Sequence, residues 1–154
     1  MDAADRRLLS FLETRARASF AQVAEAVGLS KTPCWNRVQA MEQAGIITGY
    51  RTDLDRGALG LQILAFVDVA IDLGQHQAFE AALAGVPSVL ECHTTAGSFD
   101  YVLRVVARDV AALDDLLRVE LSRLPGVKTF STRICLKTIF QSRPVTACLP
   151  AGGV

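Results

Sequence analysis

Net charge is missing from this chain: 16 Lys and Arg are matched by 16 Asp and Glu. That argues against a domain that is basic as a whole, the common form of a nucleic-acid binder. No apolar run reaches the ~18 residues that a membrane helix needs. The longest candidate, "LGLQILAFVDVAI", is broken by Gln62 and Asp68. The opening "MDAADRRLLSF" lacks the basic-then-apolar plan of a secretory signal, so the expected location is the cytoplasm, away from any membrane. Cysteine pairs are missing too. Cys34, Cys92, Cys135 and Cys148 are scattered with no C-x-x-C spacing, so neither a disulfide framework nor a zinc site is expected. They read as reduced thiols, mostly core filler, and no metal or cofactor is expected.

Catalytic constellations are also scarce. Cys92-His93 looks like a nucleophile beside its base, but neighbours on a strand point to opposite faces and cannot meet within one chain. His76 reads as a helix-surface residue. No carboxylate pair is forced together and no glycine loop is built to cradle phosphate. An enzyme is not expected.

What is present is a chain of 154 residues, 51% apolar, enough for one medium or two small folded domains. Two kinds of periodicity divide it. Up to about residue 45 the apolar spacing is helical; from about residue 61 strands and helices alternate. The first helix spans Ala3 to Thr14, with Leu8, Leu9 and Leu12 on one face and Asp2 and Asp5 suiting its N-terminal dipole. The second opens with Ser19 as cap and Gln22 three residues on, the capping-box spacing, and closes at Gly28. Only Leu29 separates Gly28 from the next cap, Ser30, so the connection is a sharp corner: a helix-turn-helix pattern.

The third helix starts at Lys31. Pro33 is tolerated because first-turn N–H groups have no helical partner. Steps of about 100° put Cys34, Val38, Met41 and Gly45 on the core line, with Asn36, Gln39 and Gln43 opposite, Trp35 on the border and Arg37 on the other flank. "GIITGYR" predicts a short hairpin or wing. Local charge departs from the neutral total: residues 15 to 51 hold Arg15, Arg17, Lys31, Arg37 and Arg51 against Glu25 and Glu42. A local positive patch can hold phosphate without a basic total.

The second half reads strand (Leu61 to Ile71), helix (Gln75 to Leu83), strand (Val89 to Thr95), strand (Tyr101 to Ala107), helix (Val110 to Leu124) and strand (Val127 to Phe140). That order, βαββαβ, is the ferredoxin-like arrangement with both helices on one sheet face. The fold class is α+β: residues 1–51 a winged helix-turn-helix domain, 52–60 a linker, 61–141 the βαββαβ domain and 142–154 a tail whose end is expected to be disordered.

Alternation assigns Ile63, Ala65, Val67, Val69, Leu90, Cys92, Tyr101, Leu103, Val105, Ile134 and Leu136 to the helix side. The other face, which includes Val89, mixes charges with bulky apolar groups, and a lone chain would leave Phe66, Val106 and Ile139 in water. That pattern suggests packing on a second copy, or else a solvated face with a few apolar residues.

The segments "MDAADRRLLSFL", "VGLSKTPCWNRVQAMEQAGIITGY", "ECHTTAGSFDYVLRV" and "LSRLPGVKTFSTRICLK" together resemble the leucine-responsive/asparagine-responsive (Lrp/AsnC) family of transcription regulators. The resemblance covers nearly the whole chain. It implies a DNA-binding domain followed by a ligand-sensing RAM domain, double-stranded DNA and an amino-acid effector as partners, and homodimers that assemble into rings, often octamers. In a helix-turn-helix the second helix enters the major groove. Ser30, Lys31, Thr32 and Pro33 then open the recognition helix toward phosphate, Asn36 and Gln39 are suited to adenine, Arg37 to guanine or phosphate, Trp35 to sugar or a thymine methyl, and Arg51 to phosphate.

Each has a plainer reading. Ser30 is also a simple cap, Trp35 a packing residue against the wing, Arg37 a partner for Glu25 or Glu42, Asn36 and Gln39 solvated amides, and Arg51 a surface charge. For the effector, the resemblance carries over onto Gly97, Asp100 and Tyr101 in "TTAGSFDY" and onto Thr132, Arg133 and Ile134, at a junction between dimers. Asp100 suits an α-ammonium group and loop N–H groups a carboxylate; Gly97 suits close approach or a positive φ. The plainer reading makes Gly97 and Asp100 only a turn. The rival function is a small-molecule sensor that does not bind DNA, against which the intact stretch from 19 to 51 argues.

Overall fold

In the computed structural model, which describes residues 1–150, the chain forms two units. One comprises Met1–Asp53 and the segment from Phe140 onward; the other is Leu54–Ile139. Among the described residues no helix is long and apolar enough to cross a membrane.

The first unit holds α1 (Ala3–Thr14), α2 (Phe20–Val27) and α3 (Lys31–Gln43). Local chemistry sets their starts. Asp2 caps α1 by accepting from the Ala4 and Asp5 N–H groups at 2.8 and 2.9 Å, while the Asp5 carboxylate accepts from the Asp2 N–H at 2.8 Å. Ser19 and Gln22 close the expected reciprocal box on α2. Gly28 stops α2 in the left-handed region, φ 72°, where a side chain would be strained. Leu8, Leu12, Val23, Ala24, Val27, Cys34, Val38 and Met41 form the core, each large side chain stabilising the unit by roughly 1.5–3 kcal/mol through burial.

The expected wing is not found: residues 46 to 53 form no strand. Gly45 turns left-handed at φ 70°, and the N–H groups of Ile46 and Ile47 both donate to the Met41 carbonyl, finishing the helix. Tyr50 is held by its hydroxyl to Glu42, 2.9 Å away, and no ladder forms with so few residues. Within the other unit, Asp55 Oδ1 accepts from the Gly57 and Ala58 N–H groups, so residues 56–60 form turns.

The second unit runs β1 (Ile63–Ile71), α4 (His76–Leu83), β2 (Val89–Thr94), β3 (Tyr101–Ala107), α5 (Val110–Asp115) and β4 (Val127–Ile134). Sheet order is β2-β3-β1-β4, antiparallel throughout. Phe79 and Leu83 from α4, with Leu113, Leu116 and Leu121, bury Ala65, Val67, Val69, Tyr101, Leu103 and Val105. The expected helix to Leu124 continues past α5 as a π turn, Leu116–Glu120, and a 3-10 turn, Leu121–Arg123. The wider π turn keeps Leu121, five residues after Leu116, on the same buried side.

Three strand expectations are corrected. β4 ends at Ile134 rather than Phe140 because its partner β1 begins at Ile63: Ile134 pairs with Ala65, the Cys135 N–H reaches the Leu64 carbonyl, and nothing follows to pair with. Leu136 and Ile139 are left 98% and 76% exposed. A register shift between Val89 and Glu91 makes Leu90 the extra residue of a bulge, so Val89, opposite Val105, joins the core and Leu90 is exposed. Helices cover the sheet centre and not its rims, so Cys92 and Ile134 are exposed although they lie on the helix side. Of the cysteines only Cys34 fills a core.

On the opposite face Val106 is buried, not wet, as is Leu64, its direct cross-strand neighbour. Phe66, one step along, is half-buried.

Candidate functional site

The corner at Leu29 presents the start of α3 on the surface of its unit. Ser30 has the extended backbone of a cap, but its hydroxyl makes no capping bond. Ser30, Lys31, Thr32, Pro33, Trp35 and Asn36 are all exposed. Among the described residues, no hydrogen bond or ion pair engages the side chains of Ser30, Lys31, Thr32, Asn36 or the exposed Arg51. The first-turn N–H groups, a lysine charge, two hydroxyls and an amide thus share one surface with a half-exposed indole. Such a surface can bond phosphates at its end and a base edge along its side.

The rear of α3 is different. Arg37 is held by Asp2 at 2.6 Å and Asp5 at 2.7 Å, both from α1 and neither the Glu25 nor the Glu42 of the plainer expectation. Hydrogen bonds from the Asp5 N–H and then from Arg37 hold the Asp2 carboxyl below its ordinary range. Gln39 donates to Glu42 at 2.6 Å, and Glu42 also accepts from Tyr50. Burial, then Glu42, pushes the Tyr50 phenol up to about 12, so it stays a donor. Glu42 therefore fixes the segment after α3, a role that residue spacing alone did not reveal.

The effector candidates are spread out. Tyr101 is buried beneath α4. Its hydroxyl donates to Glu80 at 2.7 Å and lies 2.9 Å from His76 Nδ1. Burial and then Glu80 push this phenol up to about 12. His76 is therefore half-buried and engaged, contrary to its surface reading. A signal was available: His76 and Glu80 are one helical turn apart and so share a face. Asp100 Oδ2 accepts from the Ile71 N–H at 2.8 Å, and its own backbone is bonded to Val69 and Thr95. Gly97 is exposed, lacks a positive φ, and a Cβ there would meet nothing within 4 Å, so neither reason for glycine applies within the chain.

Thr132 pairs with Val67 and Ile134 with Ala65 on the helix side, while Arg133 points to the other face and binds Asp68 at 2.8 Å. Thr132 Oγ1 is buried without a hydrogen-bond partner among the described residues. A groove of about 360 Å³ lies between α4 and edge strand β2, lined by Glu80, Leu83, Val89, Cys92, Thr94 and Tyr101 among others. Of the expected effector residues it contains only Tyr101. Burial, then Glu80, raises the Cys92 thiol, so it remains protonated and a poor nucleophile at neutral pH. Cys92 stands opposite Leu103 and His93 opposite Val102, on opposite sheet faces.

Comparison with known proteins adds to this geometry. Residues 1–42 match the AsnC-type helix-turn-helix domain, and residues 64–145 match the Lrp/AsnC ligand binding domain. The chain is 39% identical over 144 residues to the proline dehydrogenase transcriptional activator of Rhodobacter capsulatus, covering 92% of this chain and 94% of that one. It is 36% identical over 145 residues to the leucine-responsive regulatory protein of Salmonella typhimurium, covering 92% and 88%. Its fold is similar to that of a transcriptional regulator from Neisseria meningitidis solved in complex with L-Met, with TM-score 0.91 and 29% identity over 97% of this chain and 99% of that one.

Proposed function

This chain belongs to the Lrp/AsnC family of DNA-binding transcriptional regulators that respond to amino acids, and from that premise we propose which residues divide the work. Ser30, Lys31, Thr32, Pro33, Trp35 and Asn36 face the major groove, with Arg51 on a flanking phosphate. Arg37 and Gln39 belong to the support of the helix: their in-unit partners at 2.6–2.7 Å compete with any DNA contact. The observation that carries the reading is the row of exposed, unengaged donors at the start of α3.

The effector is an amino acid bound at the loop bearing Gly97 and Asp100. Asp100 Oδ1, free of the Ile71 bond, suits its ammonium group. The buried Thr132 hydroxyl, without a partner among the described residues, is a group that calls for one. Tyr101 and Thr132 lie on strands separated by β1, roughly 10 Å apart, and Arg133 is on the other face, so a second copy completes the site. The open sheet face, where Phe66 lies between the Arg104–Glu91 and Arg133–Asp68 pairs, is the homodimer contact. A two-fold contact of this kind matches each charge pair with its own copy. Dimers then assemble toward octamers in the cytoplasm. An effector that binds one assembly better than another shifts the spacing of recognition helices.

The test is anisotropy titration on DNA from upstream of the chain's own gene at several salt concentrations. Salt-dependent binding that is lost in a Lys31→Ala/Asn36→Ala variant supports the reading. No binding at low salt overturns it in favour of a sensor without DNA. A thermal-shift series over the twenty amino acids, beginning with leucine, methionine and proline, identifies the effector.

A further inference from the structure

The chain leaves its helical unit at Asp53 and re-enters it at Phe140. The returning segment is received by one carboxylate. The N–H groups of Val145 and Thr146 and the Thr146 hydroxyl donate to Glu13 on α1, at 2.6, 3.1 and 2.7 Å. These are the opening donors of the turn Val145–Cys148, so Glu13 caps a helix end on the far side of the sequence. Further on, the Arg6 guanidinium donates to the Pro150 carbonyl. Arg6 and Glu13 are two turns apart on one face of α1, so the segment runs antiparallel along that helix.

We propose that residues 140–150 form a clasp that connects the DNA-binding helices to the sensing sheet a second time, and that through it an event at the end of β4 reaches α3. The proposal rests on the regulator reading above. The route is covalent from Ile134 to Phe140, then polar: Glu13 on α1, then Asp2 and Asp5 at the start of α1, which grip Arg37 of α3. The contact is suited to opening and closing. Val145 is 72% exposed and Thr146 half-buried, so hydrogen bonds rather than apolar burial hold it. Burial pushes the Glu13 carboxyl up, and the bonds from Thr146 and Val145 outweigh it, so the group stays ionised and able to accept all three.

The experiment uses the full chain with Glu13→Gln, whose amide presents a donor to donors, with Thr146→Ala, which lacks the hydroxyl, and with Thr146→Ser, which keeps it. Hydrogen exchange at the Val145 and Thr146 amides is read first, without DNA or effector. Slow exchange in the wild type, accelerated about tenfold in Glu13→Gln, is expected; fast exchange in the wild type overturns the clasp. DNA affinity is then measured with and without saturating L-leucine or L-methionine. The ratio of the two affinities is expected to fall about fivefold in Glu13→Gln and Thr146→Ala and to hold in Thr146→Ser. An unchanged ratio in Glu13→Gln overturns the coupling. If neither amino acid, nor any other of the twenty, alters wild-type affinity, the effector reading has failed. The clasp then stands only if Glu13→Gln alone shifts DNA affinity, by about threefold, and falls if it does not.

Discussion

At the front of α3, Lys31 and Asn36 extend from the helix with no side-chain bond among the described residues; at the sheet, Tyr101 and Asp100 are each already tied to neighbouring elements. The first, the proposed DNA surface, lies within one chain, and in the proposed dimer a two-fold axis only has to repeat it. The second is divided among Gly97 and Asp100 on a loop, Tyr101 and Thr132 under the helices, and Arg133 on the reverse face. The difference teaches where regulation enters. On the proposed reading, a surface that is whole in the monomer binds DNA in proportion to how copies are spaced, and a site assembled from copies would sense that spacing. Linkage makes the two reciprocal.

The comparison breaks most visibly if Asn36 is replaced. Asn36→Ala should weaken binding to the cognate site by about 1–3 kcal/mol, roughly 5- to 150-fold, and relax preference at one base pair. Lys31→Ala should instead weaken all sequences alike and lower the slope of log affinity against log salt by about 1. Anisotropy titrations on a set of single-base variants separate the two. If Asn36→Ala weakens all sequences equally, α3 does not read bases through that residue.

Next in size is Asp100→Ala. It leaves the N–H of the buried Ile71 without its acceptor, so the sheet unit should lose about 1–3 kcal/mol in urea unfolding. Asp100→Asn keeps an acceptor oxygen and should lose less. The informative quantity is effector affinity in Asp100→Asn, measured by calorimetry. If it falls much further than stability, the carboxylate serves an ammonium group as well as a turn. If the two fall together, Asp100 is a turn residue only.

These residues also mark what could be read ahead of the structure. The helix starts were legible because caps are local chemistry: Ser19 and Gln22 are three residues apart and bond each other as expected. The exposure of Asn36 followed from helical phase, which sets it opposite Cys34 and Val38; that of Lys31 did not, because phase puts it in line with Val38 and it is exposed as the first residue of α3. Strand ends were not legible, because the end of β4 is decided by where β1 begins, 71 residues from Ile134 back to Ile63. The bulge at Leu90 escaped because alternation assumes no extra residue. Arg37 escaped for a related reason: Asp2 and Asp5, read as dipole partners of their own helix, lie 35 and 32 residues away from the cation they hold.

Arg37 therefore supplies the next test, at smaller magnitude. As a tie between α1 and α3 it is half-exposed and screened by solvent, so Arg37→Ala should lower stability only slightly while changing DNA affinity by a small factor. A loss of tenfold or more in DNA affinity would return Arg37 to the reading surface. The pH dependence has a definite sign. Asp2 is held below its ordinary value of 3.8, so its share of stability is present above that pH and is lost as pH falls through the lowered value. The stability gap between wild type and Arg37→Ala should close in the same direction.

The smallest effect is the most selective. Gly97 has no left-handed φ, and an added Cβ would touch nothing within 4 Å, so Gly97→Ala should change stability by less than about 0.5 kcal/mol. Any loss of effector affinity in that variant then reports a ligand close to the loop backbone, because the free chain supplies no other reason for a cost. Gly97→Val extends the probe with more bulk at the same position. If both variants bind the effector as the wild type does, the ligand lies away from Gly97, and the groove lined by Glu80 and Tyr101 becomes the place to look. If both lose affinity while their urea midpoints hold, the loop is a wall of the effector site.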